Sequence, residues 1–266
     1  MGRELFVSEN PRRIVSLAPS ITEILFALGV GDRIVGTTEF SDFPPEALRI
    51  PSVGTYIKPN LERIVELKPD LVIATPDGDK KAEVEKLSSL GIPVFVVDPK
   101  TIDDIVSTVA EIADLVGAEE DGRKLAEEME RRVREVSNIV AGRRRVSVLI
   151  QINGDPIICA GAGTFQDDLI GRAGGKNVAT VEKIRYPRLS LEQVIVLAPE
   201  CIIISSMGKG RDFEAEMQTW RCWKSIPAVR DNKIYIVDSD IIDRASPRIV
   251  SGLEAIARIL HPEAFK

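Results

Sequence analysis

The sequence predicts an α/β protein with two Rossmann-like lobes, each a small parallel sheet flanked by helices, bridged by one long helix. Three observations predict this fold. A stretch of sixteen residues from Asn60, NLERIVELKPDLVIAT, recurs without a gap from Ser190 as SLEQVIVLAPECIIIS. The segments around the two copies also recur in the same order. Between the copies, a highly charged segment has its apolar residues at the spacing of a single amphipathic helix.

Each copy of the repeat is predicted to be a helix followed by a buried strand. Asn60 and Ser190 are suited to cap a helix, because their side chains accept hydrogen bonds from the free amides of the first turn. Apolar residues follow at helical spacing, and Pro69 and Pro199 end the two helices. The next runs, DLVIAT and CIIIS, are typical of parallel strands buried on both faces. Each copy is therefore half of a βαβ unit.

The flanking segments extend this pattern in both lobes. RIVSLAPSITEILFALG, from Arg13, predicts a strand, a turn and an amphipathic helix that ends near Gly29. RVSVLIQINGDPIICAGAGTFQDDLIGRAGG, from Arg145, is a longer version with the same order of elements. GIPVFVVD and NKIYIVDSD add one further strand after each copy of the repeat. We therefore assign an N-terminal lobe to residues 1–117 and a C-terminal lobe to residues 143–266.

Residues 118–142 are predicted to form the helix between the lobes. From about Glu119 to Ala141 such a helix would be about 35 Å long. Pairs such as Glu128 and Arg132 support it at a spacing of four. Its apolar positions recur at helical spacing: Leu125, Met129, Val133 and Val136. A helix of this length can act as a strut, with the ligand cleft at the carboxyl ends of the two sets of strands.

The composition argues against several classes of protein. The net charge of −6 is mild and no basic run is long, so a nucleic-acid partner is not expected. No apolar stretch approaches the ~20 residues that cross a bilayer. Cys159, Cys201 and Cys222 form neither a metal motif nor a disulfide framework. The first residues, MGRELFVSENPRR, lack the apolar region of a signal peptide, so we expect either a cytoplasmic protein or an exported one whose leader has been replaced by Met-Gly.

Three motifs resemble a known family. They are NLERIVELKPDLVIA, FSDFPP from Phe40 to Pro45, and DRASPRI from Asp243 to Ile249. With the lobe–helix–lobe plan, they resemble the substrate-binding proteins of ABC importers for metal chelates, and most of all the cobalamin-binding members. The resemblance extends from about Arg13 to Leu260. It implies an exported protein, periplasmic or at the cell surface, that captures cobalamin or a related corrinoid between its lobes and delivers it to an ABC permease dimer. We expect a monomer.

The resemblance assigns a role to the two repeated glutamates. In the family, one glutamate on each lobe docks into an arginine pocket of the two-fold permease, and Glu62 and Glu192 match those positions. The alternative is that each glutamate only complements the dipole of its helix. Glu62 is the second helical residue and not the third, so a capping box does not explain it.

The resemblance also implies a set of ligand-binding residues. The family places aromatic side chains against the flat corrin ring and polar groups against its amide side chains. The matching positions here are Phe40, Tyr56, Tyr186, Asp240 and Arg244, with Phe165 as an addition after the GAGT turn. The alternative for Phe40 and Tyr186 is local packing within loops. Aromatic positions of the family are occupied here by Thr75, Ile241 and Ile242, which makes the wall less aromatic.

A ferric siderophore or haem is the alternative ligand. Arginine binds carboxylates with two parallel hydrogen bonds, and an anionic chelate would need such groups. Five basic residues near the expected cleft could supply them: Lys58, Arg185, Arg188, Arg244 and Arg248. The segment TWRCW, with Trp220 and Trp223, is interpreted as a helix and its exit, with the indoles in the core.

A cytoplasmic α/β enzyme or nucleotide-binding protein is the third hypothesis. The single histidine, His261, follows the last predicted helix and is expected to be exposed or C-terminal. A Ser-His or Cys-His pair and a His-rich metal site therefore have little support. GAGTFQ, from Gly161 to Gln166, resembles a dinucleotide loop only loosely. We expect no catalytic residues, no cofactor and no metal site, and hence a protein that is not an enzyme.

Overall fold

A computed structural model describes residues 10–76, 81–181, 183–207 and 212–265. The chain divides into two compact units. The first contains the chain up to Pro99 together with Ile105–Glu128, and the second contains Lys100–Asp104 together with the chain from Met129 onward. Among the described residues, no helix has both the length and the apolar character that a membrane crossing needs.

The first half of the chain alternates strands with helices. In chain order, the elements are β1 (Ile14–Ser16), α1 (Pro19–Ala27), β2 (Ile34–Gly36), α2 (Leu61–Glu66), β3 (Leu71–Ala74), α3 (Lys81–Ser89), β4 (Val94–Val96), α4 (Ile102–Val116) and α5 (Glu119–Val140). Helix α5 has 22 residues, which confirms the long helix predicted from its apolar spacing. A boundary between the two units lies inside α4 and another inside α5.

The first unit contains a four-stranded parallel sheet in the order β2-β1-β3-β4. Its central strands β1 and β3 are buried along their whole length, which is why their sequences are continuously apolar. Strand β3 pairs in register with β1 from Ile14 opposite Leu71. A core cluster of buried apolar side chains packs on this sheet, with Ile64 from α2 and Leu87 from α3 among its members.

The second unit is a longer version of the same plan. Its elements are β5 (Val146–Gly154), β6 (Ile157–Cys159), α6 (Phe165–Arg172), β7 (Gly175–Asn177), β8 (Arg188–Leu189), α7 (Leu191–Leu197), β9 (Cys201–Ser205), α8 (Phe213–Arg221), α9 (Pro227–Arg230), β10 (Ile234–Val237), α10 (Ser239–Ile242) and α11 (Ile249–Leu260). Strands β10, β9, β5 and β7 are parallel.

The sheet of the second unit is mixed, whereas the sequence predicted a parallel one. Strand β6 runs antiparallel to both β5 and β8, which gives the order β10-β9-β5-β6-β8. The difference arises because two residues, Asp155 and Pro156, join β5 directly to β6. So short a connection can only return the chain as an antiparallel hairpin, since a parallel strand needs a crossover of a dozen or more residues.

Both copies of the repeat form the predicted helix and strand. The Asn60 side chain accepts a hydrogen bond from the Arg63 amide at 3.1 Å, and the Ser190 hydroxyl accepts one from the Gln193 amide at 3.3 Å. Each helix is followed by a residue with positive φ, Lys68 in the first unit and Ala198 in the second. The apolar runs that follow are β3 and β9, so this half of the βαβ unit is confirmed twice.

Candidate functional site

A cluster of opposite charges lies beyond the carboxyl end of the sheet in the second unit. Asp240, in α10, receives Arg244 Nη2 at 2.8 Å and Arg248 Nη2 at 3.3 Å. The side chains are largely withdrawn from solvent, with exposures of 29% for Asp240 and 14% for Arg244. One carboxylate between two guanidinium groups gives the cluster both acceptors and donors, and it can therefore hydrogen-bond a ligand that carries amides.

The segment that carries this cluster is fixed to the sheet by its neighbour Asp243. The Ser205 hydroxyl, at the end of β9, hydrogen-bonds the Asp243 carboxylate. Gln166 Nε2, in the first turn of α6, donates to Asp243 Oδ1 at 3.2 Å. Gln166 is buried, and its Oε1 finds no donor among the described residues. A ligand N–H group could satisfy such an acceptor.

Two predicted aromatic residues of the second unit lie in different environments. Phe165 is the first residue of α6, next to Gln166, and is almost fully buried. Tyr186 is exposed, with the Arg185 guanidinium 5.8 Å from the centre of its ring. The Phe165 ring is therefore almost fully withdrawn from solvent, whereas the Tyr186 ring is accessible to a ligand.

The first unit carries the other two predicted aromatic residues. Phe40 is exposed in the segment that follows β2. Tyr56 is partly buried, and its phenol oxygen lies 3.1 Å from the hydroxyl oxygen of Thr75, just beyond β3. This contact fixes the position of the Tyr56 ring. Thr75 thus supports an aromatic residue instead of supplying an aromatic ring of its own.

The two repeated glutamates occupy equivalent positions. Glu62 and Glu192 are the second residues of α2 and α7, and both are exposed. In α7 the capping box is completed by the Gln193 side chain, which accepts from the Ser190 amide at 2.7 Å. Hydrogen bonds from the Ser190 hydroxyl and from its own backbone amide lower the pKa of Glu192. Neither glutamate is needed for a capping box, so helix capping does not explain the repetition.

The basic residues proposed for an anionic ligand differ in their exposure and their partners. Lys58 and Arg188 are exposed, and Arg188 lies on β8. Arg244 and Arg248 share Asp240, which offsets part of their charge. Among the described residues, no group of three or more His, Cys, Asp or Glu side chains is placed to hold a metal ion.

The structure corrects the expectation for His261. This histidine is buried, with Nε2 3.3 Å from the Gly174 carbonyl oxygen. A Cβ at Gly174 would come within 2.5 Å of the imidazole, so the glycine provides the space. Trp220 is buried in the core as predicted, but Trp223 remains 39% exposed, against the expectation that both indoles are buried.

Two residues of the site were not identified from the sequence. Asp243 and Gln166 hold the segment that carries Asp240 and Arg244, yet they are 77 positions apart. The spacing of four between Asp240 and Arg244 is a local signal for their ion pair. No local pattern connects Gln166 to Asp243, because their contact depends on how α6 packs.

Comparisons with known proteins show which family this chain belongs to. Residues 14–241 match the family model described as periplasmic binding protein. The vitamin B12-binding protein of Vibrio cholerae serotype O1 is 32% identical over 249 residues, which cover 93% of this chain and 88% of that protein. A crystal structure of the periplasmic vitamin B12-binding protein BtuF of Vibrio cholerae superimposes with a TM-score of 0.87 over 96% of this chain and 98% of that chain, at 32% identity.

Two further matches have names that do not mention vitamin B12. The periplasmic haem-binding protein RhuT of Roseiflexus has a TM-score of 0.84 and 26% identity over 95% of this chain and 99% of that chain. An uncharacterized ABC transporter substrate-binding lipoprotein of Bacillus subtilis is 29% identical over 272 residues, covering 100% of this chain and 85% of that protein. The family resemblance and the fold class inferred from the motifs are thus confirmed: the chain belongs to the periplasmic binding protein family.

Proposed function

We propose that this protein captures cobalamin or a related corrinoid outside the cytoplasm and delivers it to the permease of an ABC importer. Its relatives include vitamin B12-binding proteins and an ABC transporter substrate-binding lipoprotein. Their names support a small-molecule ligand, a permease partner and a location in the periplasm or at the cell surface. The observation that carries the choice of ligand is the placement of Asp240 between Arg244 and Arg248.

This mixed-charge cluster suits amides better than anions. The guanidinium groups donate hydrogen bonds to an amide oxygen, and the carboxylate accepts from an amide N–H. An anionic chelate would gain from the arginines but would be repelled by Asp240, and the partly buried position strengthens that repulsion. A ligand with several amide side chains uses both kinds of group without such a penalty.

The aromatic residues provide the apolar part of the proposed site. Tyr186 in the second unit and Phe40 and Tyr56 in the first are the candidates to contact the faces and edges of a corrin ring. Phe165 is proposed to contact the ligand at most through its edge, because it is buried. Thr75 makes the proposed site more polar than an additional aromatic ring at this position would.

Haem or a ferric siderophore is the second candidate ligand. It is favoured by the structural similarity to a haem-binding protein and by the Arg185 guanidinium beside the Tyr186 ring. That arrangement could bind a carboxylate through arginine and a flat macrocycle through tyrosine. The Asp240 carboxylate should favour an amide-bearing corrinoid and disfavour an anionic chelate, so variants of this residue distinguish the two ligands.

The experiment is a titration of the purified protein with cyanocobalamin, by calorimetry and visible absorbance, beside haem and a ferric siderophore. We expect saturable binding of cyanocobalamin with a dissociation constant in the micromolar range or below, about −8 kcal/mol or stronger. Absence of cyanocobalamin binding together with tight binding of an anionic chelate would overturn the corrinoid assignment and leave a transport protein.

The variant Asp240→Asn discriminates between the two ligands by sign. Loss of the carboxylate should weaken the binding of an amide-bearing corrinoid but strengthen the binding of an anion. Asp231→Asn is the matched control, since Asp231 is an exposed carboxylate of the same unit that pairs with Arg230. It should leave either affinity unchanged. Tighter corrinoid binding by the Asp240 variant would contradict the role of this cluster.

A further inference from the structure

A cavity of about 550 Å³ lies in the second unit. It is lined by the end of β5, the turn into β6, the first residue of α7, α8 and the residues just after α8. None of the residues predicted to bind the transported ligand is among the described residues that line it. The cavity therefore requires an explanation of its own.

Hydrogen bonds fix the polar wall of this cavity. Trp220 Nε1 donates to Gln151 Oε1 at 2.7 Å, and Gln151 Nε2 donates to Glu216 Oε2 at 2.9 Å. Trp220 and Gln151 are buried, so both have little freedom to turn. Because the indole can only donate, the orientation of the Gln151 amide is determined. Its N–H group then holds the Glu216 carboxylate in place.

Gly154 leaves space for the Glu216 carboxylate because it has no Cβ. A Cβ at this position would lie 2.9 Å from Glu216 Oε2 and 3.1 Å from the carboxyl carbon. A larger residue would therefore displace the carboxylate from Gln151. Gly154 lies at the end of β5, where the chain turns towards β6.

The lining combines negative charge with indole rings. Asp155, in the turn, adds a second carboxylate to that of Glu216. Trp223 contributes a ring that is 39% exposed, and Trp220, which also lines the cavity, is buried. Carboxylates and indole faces both attract cations.

We propose that this cavity binds an organic cation, with an ammonium or guanidinium group on an apolar body. Glu216 pairs with the charge, and the Trp223 ring contacts the cationic or apolar part of the ligand. The proposal is independent of the corrinoid assignment, because no residue is shared between the two sites.

The sequence supplies a specific reporter for this site. The chain has two tryptophans, and both line the cavity. Tryptophan emission, excited where tyrosine does not absorb, therefore reports on this cavity. The probes are agmatine and choline, with 1,4-butanediol as an uncharged control. We expect a saturable change of emission with at least one cation and none with the diol. No saturable change with either cation up to about 10 mM would overturn the proposal.

Glu216→Gln keeps the size of the side chain and removes its charge. It should weaken cation binding by about tenfold or more, since a hydrogen bond to a charged group is lost. The matched control is Glu214→Gln on the same helix, because Glu214 is exposed and bonds Arg221 and Gln218. The affinity of Glu214→Gln for the cation should stay within about twofold of that of the unmodified protein.

Gly154→Ala is the independent variant, should Glu216→Gln not fold. The added methyl group displaces the Glu216 carboxylate without changing the charge of the cavity, and it should also weaken cation binding. Cyanocobalamin titrations of these variants should match that of the unmodified protein. Equal cation affinities for the unmodified protein and both cavity variants would refute the site.

Discussion

The phenol oxygen of Tyr56 lies 3.1 Å from the hydroxyl oxygen of Thr75, where strand β3 ends. Thr75 is almost fully buried, and the position holds an aromatic residue in the cobalamin-binding proteins that this sequence resembles. Thr75, at the position of that aromatic residue, therefore holds the Tyr56 ring in place through its hydroxyl group. Relative to an aromatic residue at position 75, the threonine offers less aromatic surface to a ligand but fixes the neighbouring Tyr56 ring.

Tyr56 variants separate the ring from its hydroxyl. Tyr56→Phe removes the hydrogen bond to the Thr75 hydroxyl and should lower the free energy of unfolding by about 1 kcal/mol. It should change ligand affinity by no more than about threefold, since the ring remains. Tyr56→Ala should weaken corrinoid binding by about tenfold or more, because the apolar contact is lost. Calorimetric titration and urea unfolding measure both effects. Similar affinities for Tyr56→Ala and the unmodified protein would remove Tyr56 from the site.

Arg244→Ala tests the charged cluster of the second unit. The variant removes a largely buried donor and its ion pair with Asp240, while the ion pair between Asp240 and Arg248 remains. Corrinoid affinity should fall by about tenfold or more. The matched control is Arg258→Ala, since Arg258 lies in the last turn of α11 and its guanidinium is 4.9 Å from the centre of the Phe265 ring. An unchanged dissociation constant for Arg244→Ala would exclude this residue from the site.

The sequence predicts most of the fold because its signals are local. Asn60 and Ser190 cap the helices that they precede, and the apolar runs after Pro69 and Pro199 become strands. Burial of His261 was not predictable in the same way, because the space for its ring comes from Gly174, which is remote in the chain. The candidate site also combines a contact that a local sequence signal predicts with one that depends on tertiary packing. The Asp240–Arg244 pair is local, whereas its support by Gln166 arises from tertiary packing.

Charge reversal of the repeated glutamates tests docking. The double variant Glu62→Arg and Glu192→Arg should abolish uptake of the ligand by cells or vesicles that contain the permease, because two anionic contacts become repulsive. Ligand affinity measured by calorimetry should not change, as both residues are exposed on helices α2 and α7. The matched control is Glu66→Arg with Glu214→Arg, which reverses one exposed carboxylate in each unit. Uptake equal to that of the control would contradict the docking role.

The three cysteines should differ in reactivity. Burial raises the pKa of Cys159 and of Cys201 to about 12, and a Lys233 charge acts against this rise at Cys201. Cys222 is exposed. Because the thiolate is the reactive form, a maleimide or disulfide reagent should modify Cys222 in the folded protein, while the other two react only after unfolding. Mass spectrometry counts the labels. Rapid modification of all three in the native protein would contradict the burial of β5–β6 and β9.

The Ser190 hydroxyl should set the ionisation of Glu192. It is the main cause of the lowered pKa of this carboxyl, so Ser190→Ala should raise that pKa towards the ordinary glutamate value. The same change removes the cap of α7 and should lower the free energy of unfolding by about 1 kcal/mol.

The sign of the pH dependence follows from the lowered pKa. A carboxyl with a lower pKa in the folded state stabilises the fold above its unfolded pKa, and this contribution is lost as the pH falls through the folded value. The stability difference between Ser190→Ala and the unmodified protein should therefore be larger at neutral pH than in acid below both pKa values. Ser89→Ala, which removes an exposed hydroxyl that donates to the Lys86 carbonyl, is the control. NMR titration of the Glu192 carboxyl group, with urea unfolding at both pH values, measures the two effects, and an unshifted pKa in Ser190→Ala would refute the assignment.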